Sequence, residues 1–309
     1  MTHNINSAEQ GMKKGQGARE IRSRWAQETL NILESGQYTN PSGRTINIHN
    51  QIEHTIHHSQ LYRPHELPAI QHTAELRIRE YTAAMDLSDR HQQISNRIEC
   101  TDESTLAAAE RLVVSEHSQH VLALNFASAR NPGGGFLGGS QAQEESLARS
   151  SSLYPAIVQM EEMYKHNRQE KSCLYSDYMI YSPDVTIFRE DQGQLRDQPY
   201  QVSMMTAPAV NAGVVREREP EREHEIEQVM KQRIRYILAV ASGQGEENLI
   251  LGAYGCGVFR NRPEEVARWF RDILLEESYG LLFRKIVFAI LDRSKTGGVM
   301  AAFRTVFPS

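Results

Sequence analysis

HVLALNFASARNPGGGFLGGSQAQEESLARS, His120 to Ser150, is the stretch on which the reading of this chain turns. His120–Phe126 is a mostly apolar run of strand length, the pattern of a strand covered on both faces. Five glycines follow within the seven residues Gly133–Gly139. Gln143, Glu144 and Glu145 then open a helical stretch. Glycines at this density let backbone approach a ligand or a neighbouring segment. Adjacent glutamates are the residue type that moves protons.

Outward from this stretch the same rhythm repeats. NLILGAY and KIVFAIL are further buried-strand runs, and ISNRIECT and YQVSMMTAPAV read as strands. YMIYSPDVTIFR reads as two strand pieces around a Ser-Pro-Asp turn. DESTLAAAERLVV, HEIEQVMKQRIRYILAVASG and VMAAFRTVF carry helical spacing, and Pro263 opens another helix through Leu275. A helix is expected from about Gln141, and Pro155 as the first residue of the next, PAIVQMEEMYKH. Strands alternating with helices predict an α/β domain with a largely parallel sheet over 95–309. Ahead of it, EIRSRWAQETLNILESG is an amphipathic helix stopped at Gly36, and AELRIREYTAAM is another. We therefore expect a helical accessory lobe over 19–94, preceded by a disordered 1–18.

In such sheets ligands sit beyond the carboxyl ends of the strands. Both glycine loops lie there: one after HVLALNF and one, GAYGCGVFRNRP (Gly252–Pro263), after NLILGAY. Gly133, Gly135 and Gly138 spell GxGxxG, but ASARNP separates them from the strand, which argues against a nicotinamide-dinucleotide loop. In the second loop, Gly255 and Gly257 flank Cys256 and precede a helix, an arrangement suited to a diphosphate. Phe259 either packs on a sugar or base, or fills core. No feature of the sequence places a base beside Cys256, so a small residue in a tight loop is the simpler account of it.

Ser140 and Gln143 match the S-x-x-Q capping pattern, which leaves Gln143 as either a helix cap or a ligand contact. Consecutive helical residues point ~100° apart. Glu144 and Glu145 are thus ill placed to flank one bond from opposite sides, as paired glycosidase carboxylates do. One is expected to transfer the proton while its neighbour positions a hydroxyl. The helix N-terminus favours carboxylate, so a polyanionic substrate is expected to help protonate the acid.

The 309 residues carry a formal net charge of −5, which gives no basic field for a nucleic-acid duplex. No apolar run reaches the ~18 residues of a membrane span, and no apolar signal-peptide core opens the chain. Cys100, Cys173 and Cys256 lie far apart. These features predict a reduced, cytoplasmic protein with no disulfide framework. His54 and His58 share i,i+4 spacing, but without the HExxH order no metal is expected. REREPEREHEIE (Arg216–Glu227) reads as a solvated helix start.

GGG, seven residues, then QEE: this spacing, at Gly133–Gly135 and Gln143–Glu145, resembles the signature of the bacterial-type poly(ADP-ribose) glycohydrolases of the macrodomain superfamily. ETLNILESGQYTNPSG, TDESTLAAAERL, NFASARNPGGGFL, QEESLARSSSLYP, TAPAVNAG and GAYGCGVFRNRPEEVA are similar to blocks of the same family. The resemblance implies a mixed, mostly parallel sheet between helices, with ADP-ribose across the strand ends. It implies Glu145 as acid/base and Glu144 as ligand of the ribose hydroxyl beside the scissile bond. Gly133, Gly134 and Gly135 would approach the terminal ribose and diphosphate, and Asn131 the ribose. Gly255, Cys256, Gly257, Val258 and Phe259 would wrap the diphosphate, and Thr101 and Asp102 would approach adenine. It implies release of ADP-ribose from poly(ADP-ribose) by a monomer, with no cofactor. Two alternatives stay open: a hydrolase of mono-ADP-ribosyl groups on a protein or nucleobase, or a module that binds ADP-ribose or, through the helical lobe, a protein partner.

Overall fold

The computed structural model describes residues 3–294 and 296–308, with side chains from residue 17 onward. Its centre is a seven-stranded sheet ordered β3 (Gln60–Tyr62), β6 (Met179–Arg189), β7 (Leu195–Ala207), β5 (Val121–Phe126), β8 (Asn248–Leu251), β9 (Lys285–Ala289) and β4 (Ile98–Thr101). β7–β5–β8–β9–β4 are parallel, and β6 and β3 are antiparallel additions at one edge. This is the mixed, mostly parallel α/β sheet expected.

β5 explains why the strands read as continuous apolar runs. Leu122 and Leu124 enter a core shared with α3 (Leu67–Thr82), α10 (Ile226–Gly243) and α11 (Pro263–Arg271). Val121 and Ala123 enter a second core on the opposite face, with α5 (Thr105–Glu110), α6 (Gln143–Ser150), α7 (Leu153–Val158) and α8 (Glu161–Gln169). Alternate residues of one strand therefore face two helical layers. Each buried leucine contributes ~1.5–3 kcal/mol. α9 (Ala212–Arg218) and α12 (Gly298–Val306) complete the helices of the first layer.

The N-terminal segment holds α1 (His3–Ser35), α2 (His49–His58), α3 and α4 (Leu87–Ser95), together with the hairpin β1 (Gln37–Thr39)–β2 (Thr45–Asn47). Gly36 ends α1 with a left-handed φ of 69° and donates to Ile32 O at 2.8 Å, as its sequence position predicts. α1 spans His3–Ser35, across the expected boundary at residue 18, and Met1 and Thr2 lie outside the described residues. The segment is also not purely helical. β3 joins the main sheet, and Leu67, Ala74, Ile78 and Ile94 enter its core.

Three local expectations change. β6 is one strand rather than two, because a bulge between Ser182 and Val185 absorbs Pro183 and a left-handed Asp184 (φ 49°) without ending the pairing. Pro155 is the third residue of α7, which starts at Leu153 after a break at Ser151 and Ser152, and a second break after Val158 separates α7 from α8. HNQIEHTIHH is helical as α2: the His54 and His58 rings stack at 4.1 Å, and His54 faces Asp184 at 3.2 Å. Arg216–Glu227 is the end of α9, a 3₁₀ turn and the first residues of α10. No described helix is long and apolar enough to cross a membrane, and no group of three or more His, Cys, Asp or Glu among the described residues could hold a metal ion.

Candidate active site

The site grows from the carboxyl end of β5. There the chain leaves the sheet, makes the glycine loop and returns as α6, whose first residues are Gln143, Glu144 and Glu145. Ala142, not Ser140, precedes the helix with extended backbone (φ −134°, ψ −172°). The capping pattern read from Ser140 and Gln143 is therefore not formed. Gln143 instead reaches back to the strand: its Oε1 accepts from Phe126 N at 2.8 Å, and its Nε2 donates to Leu124 O at 2.7 Å and Thr105 Oγ1 at 3.1 Å. It fixes α6 to β5 and α5 by side-chain bonds to two of these elements.

Glu144 and Glu145 occupy different surroundings. Glu144 is 3% exposed. Its Oε2 accepts from Ser128 N at 2.7 Å and its Oε1 from Gly133 N at 3.2 Å, with Asn125 Nδ2 at 3.5 Å. Burial pushes its carboxyl up to about 8; the amide hydrogen bonds oppose this and the neighbouring Glu145 adds to it. Burial thus favours the protonated form of Glu144. Glu145 is half-buried, and its two oxygens accept from Gly135 N at 3.0 Å and Ala142 N at 2.9 Å. It is Glu145, at the third helical position, that reaches back to the helix entry.

Gly134 lies against both carboxylates. Its φ is +58°, and a Cβ there would stand 2.5 Å from Glu145 Oε1 and 3.2 Å from Glu144 Oε2. Only glycine combines that backbone angle with that proximity. The far half of the loop is held by α1: Arg19 Nε donates to Gly138 O at 2.8 Å, Arg22 Nε to Gly139 O at 2.8 Å and Ser23 Oγ to Leu137 O at 2.7 Å. The buried Arg149 of α6 donates to Ser140 O at 2.7 Å.

Beside this loop lies a cavity of about 330 Å³ at the carboxyl ends of β4, β5, β8 and β9. Gln143, Cys256 and Gly257 line it, as does Ala142, whose N–H holds Glu145. Val258 projects from the second loop at 76% exposure. Phe259 is half-buried, with its ring 6.0 Å from that of Tyr175. Gly255 takes a left-handed φ of 75° against Asn261, whose Nδ2 donates to Val210 O and Gly255 O. Burial raises the Cys256 thiol far above its usual range, which keeps it neutral and unsuited to nucleophilic work. At the far end, Glu103, Ser104 and Thr105 line the cavity. Asp102 is exposed next to them, while the Thr101 hydroxyl is buried without a partner and its carbonyl accepts from Ile290 N. Asn131 bounds the glycine loop, its carbonyl accepting from Gly134 N at 3.0 Å.

Several participants were not singled out from the sequence: Asn125, Ser128, Arg19, Arg22 and Arg149, together with Asp191, which crosses from the β6–β7 hairpin to accept from Ser104 Oγ. Asn125 alone left a local trace, as a polar residue inside an apolar strand run.

The family model described as the microbial-type PARG catalytic domain matches residues 26–190. A search of curated proteins gave no match. Among solved structures, the poly(ADP-ribose) glycohydrolase from Thermomonospora curvata bound to the inhibitor ADP-HPD is 39% identical, covering 93% of this chain and 99% of its own, with a TM-score of 0.82. The poly(ADP-ribose) glycohydrolase from Deinococcus radiodurans in complex with ADP-ribose is 42% identical, covering 83% of this chain and 97% of its own, with a TM-score of 0.74. The chain belongs to the microbial-type poly(ADP-ribose) glycohydrolase family.

Proposed function

We propose that Glu145 is the general acid/base with which this poly(ADP-ribose) glycohydrolase cuts the ribose–ribose glycosidic bond, and that Glu144 holds the ribose on which it acts. The substrate is poly(ADP-ribose) and the product ADP-ribose. The observation that carries the residue roles is the unequal setting of the two glutamates around Gly134: Glu144 sealed in and held by the Ser128 and Gly133 amides, Glu145 half-exposed beside the loop. Glu145 protonates the leaving 2′-oxygen, an oxocarbenium-like ribose forms, and Glu145 then takes a proton from the attacking water. The diphosphate lies against Gly255, Cys256, Gly257 and Val258 and offsets the developing positive charge, while Phe259 orders the terminal ribose. Gly133 to Gly135 and Asn131 border that ribose, and the end near Thr101 and Asp102 takes adenine. In this reading 95–309 carries the chemistry and 19–94 supports it through Arg19, Arg22 and Ser23. The enzyme acts as a monomer, since one chain supplies both loops and both glutamates.

The test is hydrolysis of labelled poly(ADP-ribose) by the wild type and by Glu145→Gln. Turnover is expected to fall by ~10²-fold or more with polymer binding retained. A variant as active as the wild type overturns the assignment.

A further inference from the structure

A second cavity, of about 560 Å³, opens at the other end of the sheet. Arg97, Glu247 and Arg284 line it from positions immediately ahead of β4, β8 and β9, whereas the glutamate pair lies beyond the carboxyl end of β5. Arg77 and Tyr81 line it from α3. Arg284 pairs with Glu247 at 3.1 Å. Arg77 and Arg97 pair with no carboxylate among the described residues. Main-chain carbonyls and one serine hydroxyl position them instead: Arg77 Nη1 donates to Ser242 O (3.2 Å) and Oγ (2.7 Å), and Arg97 Nη1 to Leu281 O (3.1 Å) and Phe283 O (2.7 Å).

Each guanidinium has five N–H donors, and these bonds use only Nη1 of either one. Burial lowers the Arg97 guanidinium from its ordinary value, the mark of a cation that has lost water without gaining a counter-charge. Glu246 also lines the cavity, but it is 5% exposed and its carboxylate turns to the sheet, where Oε1 accepts from Tyr181 OH at 2.7 Å. Two arginines without a carboxylate partner and the half-exposed ring of Tyr81 line the same cavity. The volume is that of a small-molecule site.

We propose that this cavity is a second nucleoside-phosphate site, in which Arg77 and Arg97 take phosphate oxygens and Tyr81 the base. Its ligand is either a polymer unit remote from the one being cut or a free nucleotide, two sources with the same chemistry.

The experiment titrates AMP and pyrophosphate into the intact protein and follows the arginine Nε–H resonances by NMR. AMP is expected to shift those of Arg77 and Arg97, with roughly 10-fold weaker binding there in Arg77→Gln. Arg97→Lys, which keeps the charge near Leu281 and Phe283, gives the same weakening if Arg77→Gln fails to fold. Long poly(ADP-ribose) separates the sources. If Arg77→Gln also binds it roughly 10-fold less tightly while cutting the shortest polymer at the wild-type rate, the polymer is the ligand. If only AMP binding weakens, the ligand is a free nucleotide. The proposal is overturned if neither AMP nor pyrophosphate at millimolar concentration moves the two resonances, or if the shifts persist undiminished in both variants. Polymer turnover by the wild type, measured alongside, reports on the catalytic assignment separately.

Discussion

The two glycine-rich loops at the rim of the sheet are built in opposite ways. The loop Gly133–Gly139 is tied down: carboxylates of α6 take its N–H groups at Gly133 and Gly135, and side chains of α1 take its carbonyls at Leu137, Gly138 and Gly139. The loop Gly255–Phe259 is anchored at Gly255 by Asn261, but Gly257 has no atom within 4 Å of where a Cβ would stand, and Val258 is 76% exposed. One loop is finished before ligand arrives; the other presents open backbone to it. A fixed loop suits groups that must hold a proton-transfer geometry. An open one suits a ligand that completes the packing itself.

The comparison breaks most readily at Gly134. Gly134→Ala places a methyl 2.5 Å from Glu145 Oε1 on a backbone at φ +58°. The carboxylate must move, and a displacement of about 1 Å costs on the order of 10²-fold in rate. We expect kcat on poly(ADP-ribose) to fall by that order, close to the loss in Glu145→Gln, in a protein whose circular dichroism is unchanged. A folded Gly134→Ala with full turnover contradicts the view that this loop is preorganised around the pair.

Glu144 provides the next test, through pH. Its folded-state value of about 8 lies above the ordinary 4.5. Between those two values the folded protein keeps a proton that the unfolded chain releases, so this residue erodes stability as pH rises from 4.5 to 8. At ~1.4 kcal/mol per unit, the slope amounts to a few kcal/mol in all. Glu144→Gln removes it. Thermal melts should show the variant gaining on the wild type steadily over that interval; a constant difference between the two would remove the buried, protonated Glu144 from the account.

Much of this architecture is legible in the sequence, for a physical reason. β5, β8 and β9 are buried on both faces, so their residues are mostly apolar on successive positions, with Asn125 the one polar residue inside β5, and local pattern suffices to find them. Ser182-Pro183-Asp184 has turn chemistry that reads as an end to the strand, and only the pairing of β6 with β7 shows that a bulge accommodates it. Gln143 fits a capping pattern four residues wide, yet its partners Phe126 and Leu124 stand 17 and 19 residues away. The α1 contacts to the glycine loop span 114 to 119 residues, a separation across which helical periodicity carries no information about which polar side chain meets which carbonyl. The motif announces the glutamates, but the division of labour between them depends on burial, which the motif does not contain.

The α1 contacts give a smaller effect of the same sign as Gly134→Ala. Each is a hydrogen bond to a carbonyl worth ~0.5–1.5 kcal/mol net, more where a charged donor is involved, and the three act on one short segment. Replacing Arg19, Arg22 and Ser23 together by alanine is expected to lower kcat by roughly 10-fold while leaving KM near its wild-type value, since none of the three lines the cavity. A raised KM with normal kcat would mean that α1 shapes ligand binding instead.

Gly257 supplies the mildest and most discriminating contrast. Its backbone is not left-handed, and a Cβ there meets nothing within 4 Å, so Gly257→Ala should change folding stability by no more than ~0.5 kcal/mol. The new methyl nevertheless stands at a cavity-lining position, where the diphosphate is proposed to approach backbone. Because it lies away from the carboxylates, it should weaken the ground state and transition state alike, raising KM a few-fold with kcat unchanged. Gly134→Ala should do the reverse. Steady-state kinetics on poly(ADP-ribose) distinguish them: if both alanines depress kcat and spare KM, the two loops serve the reaction in one way and the contrast between a fixed loop and an open one fails.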